Sequence, residues 1–149
     1  MKRNRIIAVH LLNDFSGSPF VLRQSLEALV KKGYVVELLT ATPGEAGFLS
    51  EIEGVTTSPV FYKWSPNKWM TLLLFLYSQL YLFCKVLFKA RRSDIVYVNS
   101  LLPFGAALGA WIKGAKVLYH IHEVSIKPAL LKKFLLTIAG FTASKGIFV

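Results

Sequence analysis

The residues best suited to chemistry stand together near position 120. Residues 116–123 read K-V-L-Y-H-I-H-E, an apolar run that ends in two histidines and a glutamate. Imidazole titrates near neutrality, so such a group can hydrogen-bond a substrate hydroxyl or move its proton. His122, at the end of the run, is the candidate catalytic histidine. His120 shares its face on a regular strand but lies two residues deeper, which suits a structural role. Glu123 is open to three readings: a catalytic base, a partner for a cationic side chain, or an ordinary loop residue. A metal would need more ligands than these. The third histidine, His10, ends a different segment, and Cys84 is the lone cysteine. Neither a metal site nor an intrachain disulfide is therefore expected.

Two further stretches are candidates to meet His122. Residues 15–18, F-S-G-S, form a short loop ahead of a helix. Backbone N–H groups at a helix start suit an anion or a hydroxyl, which makes Ser16, Gly17 and Ser18 candidate substrate-binding residues. The stretch is not G-x-G-x-x-G, so the dinucleotide fingerprint is absent. Asn99 and Ser100 close another apolar run and are candidates to line the same edge. Their alternative role is to cap the turn before Pro103.

The elements that must position these groups alternate in type. Apolar runs at 6–10, 34–40, 55–61, 94–99, 116–122 and 146–149 read as strands. Helical spacing follows Ser18-Pro19, read as an N-cap with proline in the first helical position. Further helices are expected at 69–88, 103–113 and 128–142, with Gly33 and Gly114 closing two of the four. Gly105 and Gly109 lie one turn apart, a spacing that suits close packing of a helix on the sheet. The pattern predicts an α/β chain: a Rossmann-like parallel sheet with helices on both faces, binding ligands beyond the carboxyl ends of its strands. The N-terminal apolar run is too short for a signal peptide and is read as the first strand. A single domain over residues 1–149 is expected, cut at a domain boundary after the last strand.

Composition narrows the partners. Eighteen Lys and Arg against eight Asp and Glu give a formal charge of +10, and 54% of residues are hydrophobic. Such a charge attracts a lipid surface, a nucleic acid or a phosphorylated substrate. The apolar excess favours an anionic membrane surface, and no nucleic acid partner is expected. Residues 69–88 are nearly all apolar and long enough to span a bilayer. Yet Thr71, Ser78, Lys85 and Arg92 recur every seven residues as a narrow polar stripe. A span would also place neighbouring strands of one sheet on opposite sides of the membrane. The expected form is a long helix packed on the sheet, with an outward apolar face against lipid or a partner.

Taken in order, four stretches resemble the N-terminal, acceptor-binding domain of retaining glycosyltransferases of family 4, which have the two-domain GT-B fold. They are the first strand with the S-G-S turn at 16–18, D-I-V-Y-V-N-S at 94–100, Y-H-I-H-E at 119–123, and A-S-K-G-I-F-V at 143–149. The resemblance spans essentially the whole chain and implies the N-terminal half of a GT-B fold. It implies that the first loop borders the acceptor and the donor phosphates, with Gly17 where many members have two adjacent glycines. It implies that His122 contacts the transferred sugar. The nucleotide-sugar site would belong to a C-terminal donor domain absent from residues 1–149, so this chain alone is not expected to turn over. No cofactor and no metal are implied; the nucleotide sugar is a substrate, and the acceptor is a glycan or is lipid-linked. The implied location is the cytoplasm, peripheral on the inner face of the membrane. Two rival roles remain: a membrane-anchoring subunit that recruits a separate donor-binding chain, and a non-enzymatic, membrane-associated binding module.

Overall fold

A computed structural model of the chain describes residues 4–42, 46–122 and 126–148. Its elements are β1 (Arg5–Leu12), α1 (Gly17–Lys31), β2 (Val35–Ala41), β3 (Val55–Pro59), α2 (Lys68–Lys89), β4 (Ile95–Asn99), α3 (Phe104–Lys113), β5 (Lys116–Ile121), α4 (Ala129–Thr142) and β6 (Lys145–Phe148). The strands form one sheet in the order β3-β2-β1-β4-β5-β6, and every pairing is parallel. The expected Rossmann-like α/β architecture with helices on both faces is observed.

Alternation along each strand divides the core in two. Ile6, Ala8, Val36, Leu38 and Tyr97 face Leu22 and Leu26 of α1. Ile7, Val9, Val96, Val98, Val117 and Tyr119 face the layer of α2, α3 and α4. Central strands buried on both faces must be apolar throughout, which is why β1 and β4 read as continuous runs. Strand order reverses between β1 and β4. That reversal opens a crevice beyond their carboxyl ends, the place where open α/β sheets bind ligands.

Three local expectations are corrected. Helix α1 starts at Gly17 with Ser16 as N-cap, so Ser18 is not the cap and Pro19 is the third helical residue. The cause is Asp14, whose Oδ1 accepts from both the Ser16 N–H and its hydroxyl and turns the chain two residues early. Proline fits there because N–H groups of the first turn need no partner within the helix.

Helix α2 rests mainly on α3 rather than on the sheet. Gly105 and Gly109 serve that helix–helix contact. A Cβ at Gly105 would overlap the Gln79 carbonyl oxygen, and one at Gly109 the carbonyl of Phe83. Gln79 also caps α3, its Oε1 accepting from Gly105 N–H at 3.0 Å.

The polar stripe of α2 faces protein, and its apolar face is outward. Thr71 donates to Ser65 O at 2.7 Å, Ser78 to Phe61 O at 2.7 Å, and Lys85 to Pro59 O at 2.9 Å. These bonds satisfy carbonyls of a segment that leaves the sheet after Pro59 and has no strand to pair with. Arg92, the fourth member of the stripe, lies beyond the helix. Trp69 is 77% and Phe88 82% exposed, with Leu73, Leu76 and Leu80 also exposed between them. By length and composition α2 could cross a membrane, but β3 and β4, which flank it in sequence, lie in the same sheet.

The opposite rim of the sheet is held by charge. Arg5 pairs with Glu37 at 2.7 Å and Asp94 at 3.4 Å, and Lys89 also reaches Glu37. Burial pushes the Glu37 carboxyl up, but hydrogen bonds from Lys89, Arg5 and Ser58 outweigh it, so its pKa lies below 4.5. A depressed carboxylate pKa gives stability that is present above the unfolded value and is lost as pH falls through the folded one. Glu37→Gln should therefore lower the urea midpoint at neutral pH and flatten its decline below about pH 4.5. The expected cost is about 1–2 kcal/mol, below that of a fully buried pair, because Arg5 keeps Asp94 and the Lys89 ammonium can turn to solvent. An unchanged acid limb would remove Glu37 from this account.

Candidate functional site

The site is built around one amide. Asn99, the last residue of β4, is fully buried at 0% exposure. Its Oδ1 accepts from His122 Nε2 at 2.9 Å, and its Nδ2 donates to Ser18 Oγ at 2.9 Å. His10 Nδ1 lies 3.1 Å from both the Asn99 carbonyl oxygen and its Nδ2. It donates to the first or accepts from the second according to its tautomer. One side chain thus joins the ends of β1, β4 and β5 and the first turn of α1 across the strand-order reversal.

Register explains the convergence. Ala8 pairs with Tyr97, and Asn99 pairs with His120. Parallel partners share a face, so His10, Asn99, His120 and His122 all lie on the α1 side. The amide oxygen only accepts, so the His122 proton sits on Nε2, which leaves Nδ1 as the acceptor of the neutral ring. His122 is half-buried, while His10 and His120 are buried. Of the three, His122 is the imidazole offered to the crevice.

His120 is held from below. Its Nδ1 lies 2.5 Å from the Tyr97 hydroxyl, and its ring packs against that of His122, tilted by 40° with centroids 4.1 Å apart. Burial first, and the charge of His122 second, hold the His120 pKa below 6.5. A neutral ring in a hydrogen bond to tyrosine is a floor for His122.

The remaining candidates take different places. Ser16 and Gly17 are exposed at the start of α1, and a Cβ at Gly17 would meet nothing. The Ser16 hydroxyl is already engaged by Asp14. Ser18 is half-buried beside Asn99. Ser100 is buried with φ +85°, and its Oγ accepts from Leu102 N–H at 3.1 Å. The hydroxyl of Ser100 therefore caps the turn before α3, the alternative foreseen for it. Glu123 lies outside the described residues. Among the described residues no cluster of three His, Cys, Asp or Glu could hold a metal.

The sequence reading missed two residues of this rim. His10 closes the apolar run of β1 just as His122 follows that of β5, and that parallel was a usable signal. Asn13 carried none. Its Oδ1 accepts from Leu49 N–H at 2.8 Å and its Nδ2 donates to Ser50 Oγ at 2.9 Å, which seats the loop around Phe48 against α1. Phe15 and Phe20 then close on Phe48 edge-on, at 5.1 and 5.2 Å.

No family model matches the chain, and no curated protein matches it. Solved structures do. HepE of Anabaena, in complex with UDP and glucose, shares 16% identity at a TM-score of 0.65, over 95% of this chain and 37% of its own. The glycotransferase of kitacinnamycin gives 15% identity and 0.60, over 95% and 36%. Phytolacca americana UGT2, complexed with UDP-2-fluoro-glucose and pterostilbene, gives 18% and 0.55, over 97% and 36%. All three are glycosyltransferases of the GT-B fold, and this chain spans little more than a third of each. At such identities the likeness is one of fold: the chain has the Rossmann-like form of a GT-B half-domain.

Proposed function

We propose that the chain is the acceptor-binding half of a family 4-like glycosyltransferase. The complete enzyme moves a sugar from a nucleotide-sugar donor to a lipid-linked or polysaccharide acceptor. The bond from the sugar's anomeric carbon to the donor phosphate breaks. A bond to an acceptor oxygen forms, the acceptor hydroxyl's proton passes to the leaving phosphate oxygen, and the nucleoside diphosphate leaves. Most of the donor contacts come from a second domain. One observation carries this reading: Asn99 holds the half-buried His122 at the strand-order reversal, across one amide from the α1 start. In this proposal His122 holds a hydroxyl of the transferred sugar, and Ser16, Gly17 and Ser18 border the acceptor and the donor phosphates. Glu123 is assigned beside them by sequence position alone. The protein works on the cytoplasmic face of an anionic membrane, where the outward face of α2 meets lipid.

Gly17→Ala separates ligand approach from folding. Nothing lies near the added methyl, so stability should hold or rise by about 0.4–1 kcal/mol. Turnover in the full-length enzyme should fall at least tenfold, because the methyl stands where a ligand must approach the backbone. Unchanged turnover would remove Gly17 from the site.

A second reading, a non-enzymatic membrane-associated binding module, is favoured by the exposed apolar face of α2. Binding of the full-length protein to anionic liposomes, with no transfer from any nucleotide sugar, would select it.

A further inference from the structure

A groove of about 580 Å³ opens at the same rim but on the face away from α1. Its walls are Leu11, Leu102, Tyr62, Phe75, Leu131 and Trp64. Lys68 and Lys127 stand at its edge, between the N-terminal ends of α2 and α4. Among the described residues none that lines it is acidic, and neither lysine has an ion-pair partner.

We propose that this groove binds an amphiphile with a single hydrocarbon chain and a phosphate head, the chain between α2 and α4 and the head at Lys68 and Lys127. The inference deepens the transferase reading, on which it rests only for calling that amphiphile the acceptor.

Three observations favour this occupant. The wall is preformed: Thr71 Oγ1 accepts from Ser65 N–H at 3.1 Å and donates to Ser65 O at 2.7 Å, which fixes the loop that carries Tyr62 and Trp64. The lining offers few hydrogen-bonding groups, so a peptide backbone would be left unsatisfied there, while a hydrocarbon needs none. Two unpaired lysines at the ends of two helices make the mouth complementary to an anion. Asn67 already caps the first N–H groups of α2, so Lys68 rather than the bare helix end supplies the charge there. The size is that of an ordinary small-ligand site. Leu72 lines the groove and continues into the outward face of α2, a route for a chain arriving from a bilayer.

The test is a calorimetric titration of the full-length protein with dodecyl phosphate below its micelle concentration, without nucleotide sugar. Saturable one-to-one binding is expected, at least tenfold weaker for dodecanol and for the K68E/K127E variant. Both lysines are exposed, so that variant should fold. Leu131→Trp, which fills the groove, should abolish binding, while Leu73→Glu on the outward face of α2 should leave it unchanged. Equal affinity for phosphate and alcohol, no effect of the lysine variant, or loss with Leu73→Glu alone would overturn the proposal. So would self-association of the protein that Leu131→Trp abolishes, since a second copy would then be the occupant. Because no turnover is read, the groove can fail while His122 proves catalytic, or the reverse.

Discussion

Alanine at position 122 is expected to lower kcat/KM of the full-length enzyme by about 10²–10⁴-fold, the range for losing one positioned imidazole. Folding should barely change. His122 is half-buried, and its one hydrogen-bond partner among the described residues, Asn99 Oδ1, faces the crevice once the ring is gone and can take water. The loss should fall on kcat more than on KM if the ring holds the sugar hydroxyl more tightly as positive charge develops at the anomeric carbon. Alanine at His120 should show the opposite pattern. It removes a buried partner of the Tyr97 hydroxyl, so stability should fall while the surviving folded enzyme keeps much of its rate. Near wild-type kcat/KM in the His122 variant would remove the imidazole from the reaction.

Gly105→Ala is expected to be strongly destabilising, with the closest backbone clash of any described glycine. In a free helix the substitution would gain about 1 kcal/mol of propensity. Here the methyl would sit on the Gln79 carbonyl oxygen, part of the α2 backbone, which cannot move aside as a side-chain tip can. Overpacking costs about 1–3 kcal/mol, and a clash with backbone belongs at the upper end. The clash outweighs the propensity, and the contact between α2 and α3 opens. Gly140→Ala in α4 is the control: its methyl meets nothing, so the propensity gain stands and stability rises. Urea midpoints that move in opposite directions would confirm that α2 is locked to α3 by glycine. Midpoints that rise together would contradict it.

The order of strands and helices was legible because apolar run lengths and turn residues report it directly. His120 could be told from His122 by depth in the run alone. What escaped the sequence depends on register between distant segments. Asn99 meets His10 and Ser18 across 89 and 81 residues, and no local pattern encodes those meetings. The two glycines of α3 escaped for a different reason. A small-residue face fits a sheet or a helix equally well, and only the placement of α2 decides between them. The outward apolar face of α2 was legible from its narrow polar stripe, but the carbonyls that the stripe bonds were not, because their segment carries no pattern of its own.

The most direct test of the site is a ¹⁵N spectrum of the histidine side chains in the full-length protein, with and without nucleotide sugar and acceptor. The His122 signals are identified by their absence from the alanine variant. An Nε2-protonated His122 whose Nδ1 signal shifts when both substrates are present, while the His120 signals stay in place, is the predicted result. A His122 ring that ignores both substrates would contradict the assignment of this rim as the place of transfer.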